Sequence, residues 1–104
     1  MGFTVDELLE WAGRHEGDEW TTLARRLPFS FRVTRSGIQY VPGSGQARNV
    51  PRGELESFCE QFRETRSFAP GQYPNRWHKS YTLPLIQRFF VERREPGADA
   101  AARR

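Results

Sequence analysis

The 104-residue sequence contains one cysteine, one lysine and two histidines, and each scarcity removes a class of function. A lone Cys59 rules out a disulfide framework within the chain. His15 and His78 have no ligand spacing with Cys59, so neither a structural nor a catalytic zinc site is expected, and no other metal or cofactor is implied. A nuclease built on two carboxylates and a lysine would have to use Lys79, and no suitable acidic pair precedes it on a strand. No Gly-Lys-Ser/Thr sequence and no strand–glycines–helix unit with an acidic partner occurs, which excludes the P-loop and the dinucleotide fingerprint. Long apolar runs are also missing, and the N-terminus lacks the layout of a signal peptide. The expectation is a cytoplasmic protein with no membrane association.

Arginine and phenylalanine, by contrast, are abundant. Nearly all of the sixteen basic residues are arginines, the net charge is +3, and the sequence pI is about 9.6. This balance admits a polyanionic partner without requiring one. Codon usage in a GC-rich genome would raise arginine equally well. Eight phenylalanines allow a small single domain to bury a large area with few residues.

The hydrophobic rhythm changes along the chain. Thr4-Val5-Asp6-Glu7 is a capping box, and Val5, Leu8, Leu9 and Ala12 follow as one helical stripe, with Gly13 or Gly17 as candidate left-handed terminators. Trp20, Leu23, Ala24 and Leu27 also keep helical spacing, so residues 18–27 read as a short helix or turn before Pro28. Phe29, Phe31 and Val33 then alternate with Ser30, Arg32 and Thr34, the pattern of a strand with one buried face. A two-residue turn at Ser36-Gly37 would set Val33 opposite Tyr40 and put Phe29, Phe31, Val33, Ile38 and Tyr40 on one face. A short third strand is expected at 47–50. A helix from Pro51 or Arg52 to Thr65 buries Leu55, Phe58, Cys59 and Phe62 and turns Glu54, Glu56, Glu60 and Glu64 outward. After a long loop over 67–80, a last helix covers about 82–94. Residues 95–104 lack core residues and read as a disordered tail.

The architecture implied is a single α+β domain over 1–94. It comprises an N-terminal helix, a two- or three-stranded antiparallel sheet with its hairpin at 28–42, and two helices packed on one sheet face. None of this fixes a chemistry. The 67–80 loop is the strongest candidate site, because it gathers Tyr73, Arg76, Trp77, His78 and Lys79 just beyond Arg63 and Arg66. Rings beside cations can stack bases while neutralising phosphates. The same residues read equally well as core anchors with solvated charges. A weaker anion site is suggested by Gly43 and Gly45 with Arg48 and Arg52, since glycines let backbone amides approach an anion ahead of a helix N-terminus. Arg32, Thr34, Gln39 and Arg48 are assigned to the outer sheet face. Cys59, on an apolar stripe, reads as a buried thiol rather than a nucleophile.

A helix carrying four outward glutamates is unsuited to the major groove. Nucleic-acid contacts would come from the loop, the sheet face, or the last helix with Arg88, Arg93 and Arg94. The expectation is a non-catalytic binding module with nucleic acid as partner. A protein-interaction or homodimerisation module is the runner-up, and a small-molecule binder or enzyme the third reading.

Overall fold

The computed structural model describes residues 3–43, 45–74 and 76–102, and side-chain surroundings as far as Arg93. Helix α1 (Val5–Gly13) opens with the capping box read from the sequence: the Glu7 amide donates to Thr4 Oγ1 at 3.1 Å, and the Thr4 amide donates to Glu7 Oε1 at 2.9 Å. Its exit is different from the one expected. Neither Gly13 nor Gly17 is left-handed, and the helix ends at a right-handed Arg14. Successive turns follow, with the His15 amide bonded to Ala12 and the Asp18 amide to His15.

The second correction concerns residues 18–27. Trp20–Thr21 is a strand, β1, paired with the start of β2 (Pro28–Thr34) through Trp20 opposite Phe29. The competing interaction is a clamp at Thr22. Its amide donates to the Leu27 carbonyl, while its hydroxyl accepts from the Leu27 amide at 3.0 Å. That closes a loop over 22–27 around a single turn, whose Arg26 amide donates to the Thr22 carbonyl at 3.0 Å, with Arg26 left-handed at φ 57°. Trp20 reaches the core either way, whereas Leu27 ends up half exposed.

Strands β2, β3 (Gly37–Pro42) and β4 (Arg48–Pro51) continue the antiparallel sheet in the order β1-β2-β3-β4, so it has four strands rather than two or three. The hairpin turn is at Arg35-Ser36, one residue earlier than expected, and the Ser36 carbonyl accepts the Arg52 amide at 2.7 Å. Thr34 therefore faces Gly37, Val33 faces Ile38 and Phe31 faces Tyr40. The shift moves every partner by two residues, which leaves the faces unchanged. Phe29, Phe31, Ile38, Tyr40 and Val50 point into the core, and Val33 packs at its edge. Arg48 pairs with Tyr40, not with Gln39, and so lies on the core side of the sheet beyond the helices. Asn49 takes the outer position beside Gln39, whose Nε2 donates to Asn49 Oδ1 at 3.2 Å.

The helices pack on the face opposite Arg32, Gln39 and Asn49. Helix α2 (Arg52–Thr65) buries Leu55, Phe58, Cys59 and Phe62. Helix α3 (Lys79–Ala102) starts three residues ahead of Thr82 and contributes Leu83, Leu85, Ile86 and Phe89 to the same core. The backbone of α3 runs on to Ala102, through most of the segment expected to be a disordered tail, while the side chains beyond Arg93 lie outside the described residues. Where β1 stops short of covering β2, Glu16 Oε2 accepts the Val33 amide at 2.7 Å, so a carboxylate occupies an open sheet edge.

Gly37 sits where β3, β4 and α2 converge. A Cβ there would lie 2.0 Å from the Val50 carbonyl oxygen and 3.0 Å from the Arg52 nitrogen, both backbone atoms. Gly37→Ala should lower the unfolding free energy by about 3 kcal/mol in urea titrations. Gly53→Ala, on an exposed helical position with no atom within 4 Å of the added carbon, should raise it by roughly 0.5 kcal/mol.

Candidate functional site

The 66–79 segment begins where α2 ends, at Arg66, whose backbone is left-handed (φ 57°, ψ 28°) and whose amide bonds back to Phe62. A single 3-10 turn follows at Pro70–Gln72. The loop then threads inward. Tyr73 is fully buried, its ring 4.9 Å from that of Phe58, and its hydroxyl donates to the Ser67 carbonyl at 2.7 Å. His78 is fully buried as well, with its ring 5.1 Å from Phe58. Both rings serve the core.

His78 lies in the middle of a buried hydrogen-bond chain. Its Nε2 is 2.9 Å from Glu54 Oε2, its Nδ1 is 2.8 Å from Thr82 Oγ1, and Thr82 Oγ1 is 2.8 Å from the Tyr40 hydroxyl. The donors follow from the chemistry at one end. A carboxylate only accepts, so Nε2 carries the proton and Nδ1 of the neutral ring accepts from Thr82. Thr82 then receives the Tyr40 proton. Burial depresses the His78 pKa below its ordinary 6.5, against the opposing pull of Glu54. Protonating the ring would reverse the Thr82 bond and leave one hydroxyl proton of the Thr82–Tyr40 pair without its acceptor. Burial likewise pushes the Tyr40 phenol up.

Glu54 also receives Arg76. The guanidinium donates from NH1 to Glu54 Oε2 at 2.8 Å, from NH2 to Ser57 Oγ at 2.7 Å and from Nε to Gln61 Oε1 at 3.1 Å. Glu54 is thus a junction between α2 and the loop rather than a solvated charge. Burial would raise its pKa, but the His78 and Arg76 bonds together hold it below the usual carboxylate value. Thr82, His78 and Glu54 have the residue types of a nucleophilic triad, yet Thr82 and His78 are sealed in the core. The chain of bonds is a fastening, not a reaction centre.

Trp77 faces the other way. It is 40% exposed, and the Arg48 guanidinium carbon lies over its ring at 4.0 Å from the centroid. Two segments that the sequence presents as separate candidates thus meet here, the loop through Trp77 and the glycine-rich connection through Arg48. Lys79 follows two residues later as the first residue of α3. Arg66 lies elsewhere, beside a cavity lined by Phe3, Phe62, Arg63, Phe68 and Phe90.

The remaining members of the 43–52 group disperse. The Gly43 amide bonds to the Pro28 carbonyl and the Gly45 amide to the Pro42 carbonyl, so both amides are already engaged within the chain; Ser44 lies outside the described residues. Arg52 pairs with Asp6 and, at 3.3 Å, with Glu56. On α3, Arg88 is held by Asp18 at 2.6 Å and Glu92 at 2.8 Å, and its guanidinium covers Trp20. Arg93 lies over Phe89. Arg94 is outside the described side chains.

His15 joins the Arg88 group, 2.9 Å from Asp18 and 3.3 Å from Glu92, which also accepts the Trp11 indole proton. Sequence reasoning missed this cluster and the His78 chain. The usable signal for the latter was the i,i+4 spacing of His78 and Thr82, legible once the last helix is started early enough. Among the described residues no group of three His, Cys, Asp or Glu side chains is placed to hold a metal ion, and no helix is long and apolar enough to cross a membrane. Cys59 is buried, and burial pushes its thiol pKa up to about 12.

Comparison with known proteins finds no match to a family model, to a curated protein or to a solved structure.

The chain of bonds through His78 gives a signed pH dependence. Because its folded pKa is depressed, the unfolded state binds the proton more readily, and stability falls as pH drops below 6.5. Glu54, also depressed, adds a further loss as pH falls below 4.5. Thermal midpoints measured from pH 7.5 to 5.5 should decline in the native protein, and His78→Gln should flatten that part of the profile while lowering stability at pH 7.5.

Proposed function

We propose that the protein is a non-catalytic binding module that holds single-stranded nucleic acid at Trp77, Arg48 and Lys79. The observation that carries this reading is the Arg48 guanidinium stacked on Trp77. Trp11 and Trp20 are buried, so Trp77 is the one tryptophan in contact with solvent, and no carboxylate meets Arg48 among the described residues. An indole with one face covered by a guanidinium leaves the other face for a base, and the cation beside it neutralises the adjoining phosphate. A duplex is the less suitable partner. The exposed side of α2 carries Glu56, Glu60 and Glu64, and Arg88 of α3 is committed to carboxylates.

Self-association is the second reading, and β4 is the observation that favours it. This strand ends the sheet order, and no strand lies beyond it among the described residues. Light scattering at high concentration separates the two, since a strict monomer removes this reading.

The nucleic-acid reading predicts quenching of Trp77 fluorescence by single-stranded DNA or RNA oligonucleotides, with affinity falling as salt rises. Trp77→Ala should weaken binding by about 1–3 kcal/mol. Arg48→Ala should reduce the salt slope by roughly one phosphate contact. Absence of binding at low salt, or binding indifferent to both substitutions, would overturn the reading.

A further inference from the structure

The second exposed arginine site has a different chemistry. Phe3, Phe62, Phe68 and Phe90 line a cavity of about 190 Å³ with Arg63 and Arg66 at its rim. The rings meet at centroid distances of 5.2 Å for Phe3–Phe90, 5.2 Å for Phe62–Phe68 and 5.8 Å for Phe62–Phe90. These contacts fix the aromatic walls, while the space between them is left unfilled. Arg63 is committed to the structure: it bonds the Phe3 carbonyl, and its guanidinium lies over the Phe3 ring. Arg66 is not. Only its Nε is engaged, with the Arg63 carbonyl at 3.3 Å, and no carboxylate meets either guanidinium among the described residues.

A second observation bears on Arg66 independently. It occupies the left-handed position that closes a helix, where glycine is the usual residue and asparagine the common substitute. Its side chain serves the backbone only through the Nε bond to the Arg63 carbonyl. Arg66 also lines the aromatic cavity, and its NH1 and NH2 groups have no hydrogen-bond partner among the described residues.

We propose that this cavity is a binding site for a small aromatic carboxylate. The ring sits among the phenylalanines in edge-to-face contact, and the carboxylate takes the two free donors of Arg66 side by side, as a guanidinium favours. The size agrees: an apolar cavity of about 150 Å³ admits benzene, and the larger volume here accommodates a ring with a short arm reaching the rim. Two arginines and no carboxylate are among the residues that line the cavity, so an amine or neutral ligand of the same shape lacks the complementary charge.

The test uses the full chain and 3-phenylpropionate as probe, followed by amide shifts in two-dimensional NMR. Saturable shifts at Phe62, Arg66, Phe68 and Phe90 are expected. The neutral 3-phenylpropionamide should bind roughly tenfold more weakly or worse, and acetate should produce no saturation at these residues. Arg66→Gly separates binding from folding, because glycine suits the left-handed backbone. It should raise the thermal midpoint while weakening 3-phenylpropionate by roughly tenfold or more. Equal binding of acid and amide, unchanged affinity in Arg66→Gly, or shifts that saturate only at other residues would each overturn the proposal.

Discussion

The Tyr40–Thr82–His78–Glu54 chain of hydrogen bonds is the constraint on which the rest of this structure depends. It joins a central strand, the last helix and the long loop through three fully buried groups, and reaches the middle helix at the partly exposed Glu54 carboxylate. Each partner left unsatisfied in such a place costs about 1–3 kcal/mol, so the chain is favourable only when complete. Completeness admits one register between α2 and α3, which the apolar contacts alone would leave looser. The chain also sets where Trp77 points. Its neighbours Arg76 and His78 are bound to α2 and to the core, and the residue between them is left facing Arg48.

The arginines sort into two populations. Arg52, Arg76 and Arg88 tie elements together through carboxylates, and these are the contacts that make a basic composition compatible with a small fold. Arg48, Arg63 and Arg93 lie on aromatic rings, Arg88 belongs to both groups because it also covers Trp20, and Arg66 stands beside Arg63. A guanidinium can do this because it is planar and weakly hydrated, which a lysine ammonium is not. The near absence of lysine is therefore in keeping with the packing as well as with codon usage.

Much of the fold was legible because alternation and helical spacing are robust signals. The hairpin illustrates this: moving its turn to Arg35-Ser36 displaced each cross-strand partner by two residues, and a period of two kept Phe31 and Tyr40 on the core face. Trp20–Thr21 was not legible. A strand of two residues has no period to detect, and its formation depends on the Thr22–Leu27 clamp and on pairing with Phe29. In the loop, the residue types were correct for a surface site, but direction was not encoded locally. Tyr73 and His78 turn inward because Phe58, Glu54 and Thr82, all distant in sequence or on a helix read as starting later, offer them partners. Arg48 was misplaced for a related reason, since the register of β4 is set by contacts outside its own four residues.

The burial of Cys59 turns the chain's single thiol into a clock. A reagent that attacks thiolates meets a sulfur with no exposed surface and a proton held more tightly than usual, so it reacts only through openings of the core around Phe58 and Phe62. With enough reagent that labelling outpaces reclosing, the labelling rate equals the rate at which α2 leaves its seat; with scarce reagent it reports how often the seat is empty. Kinetics and equilibrium of the same event can thus be read from one atom, with no engineered probe.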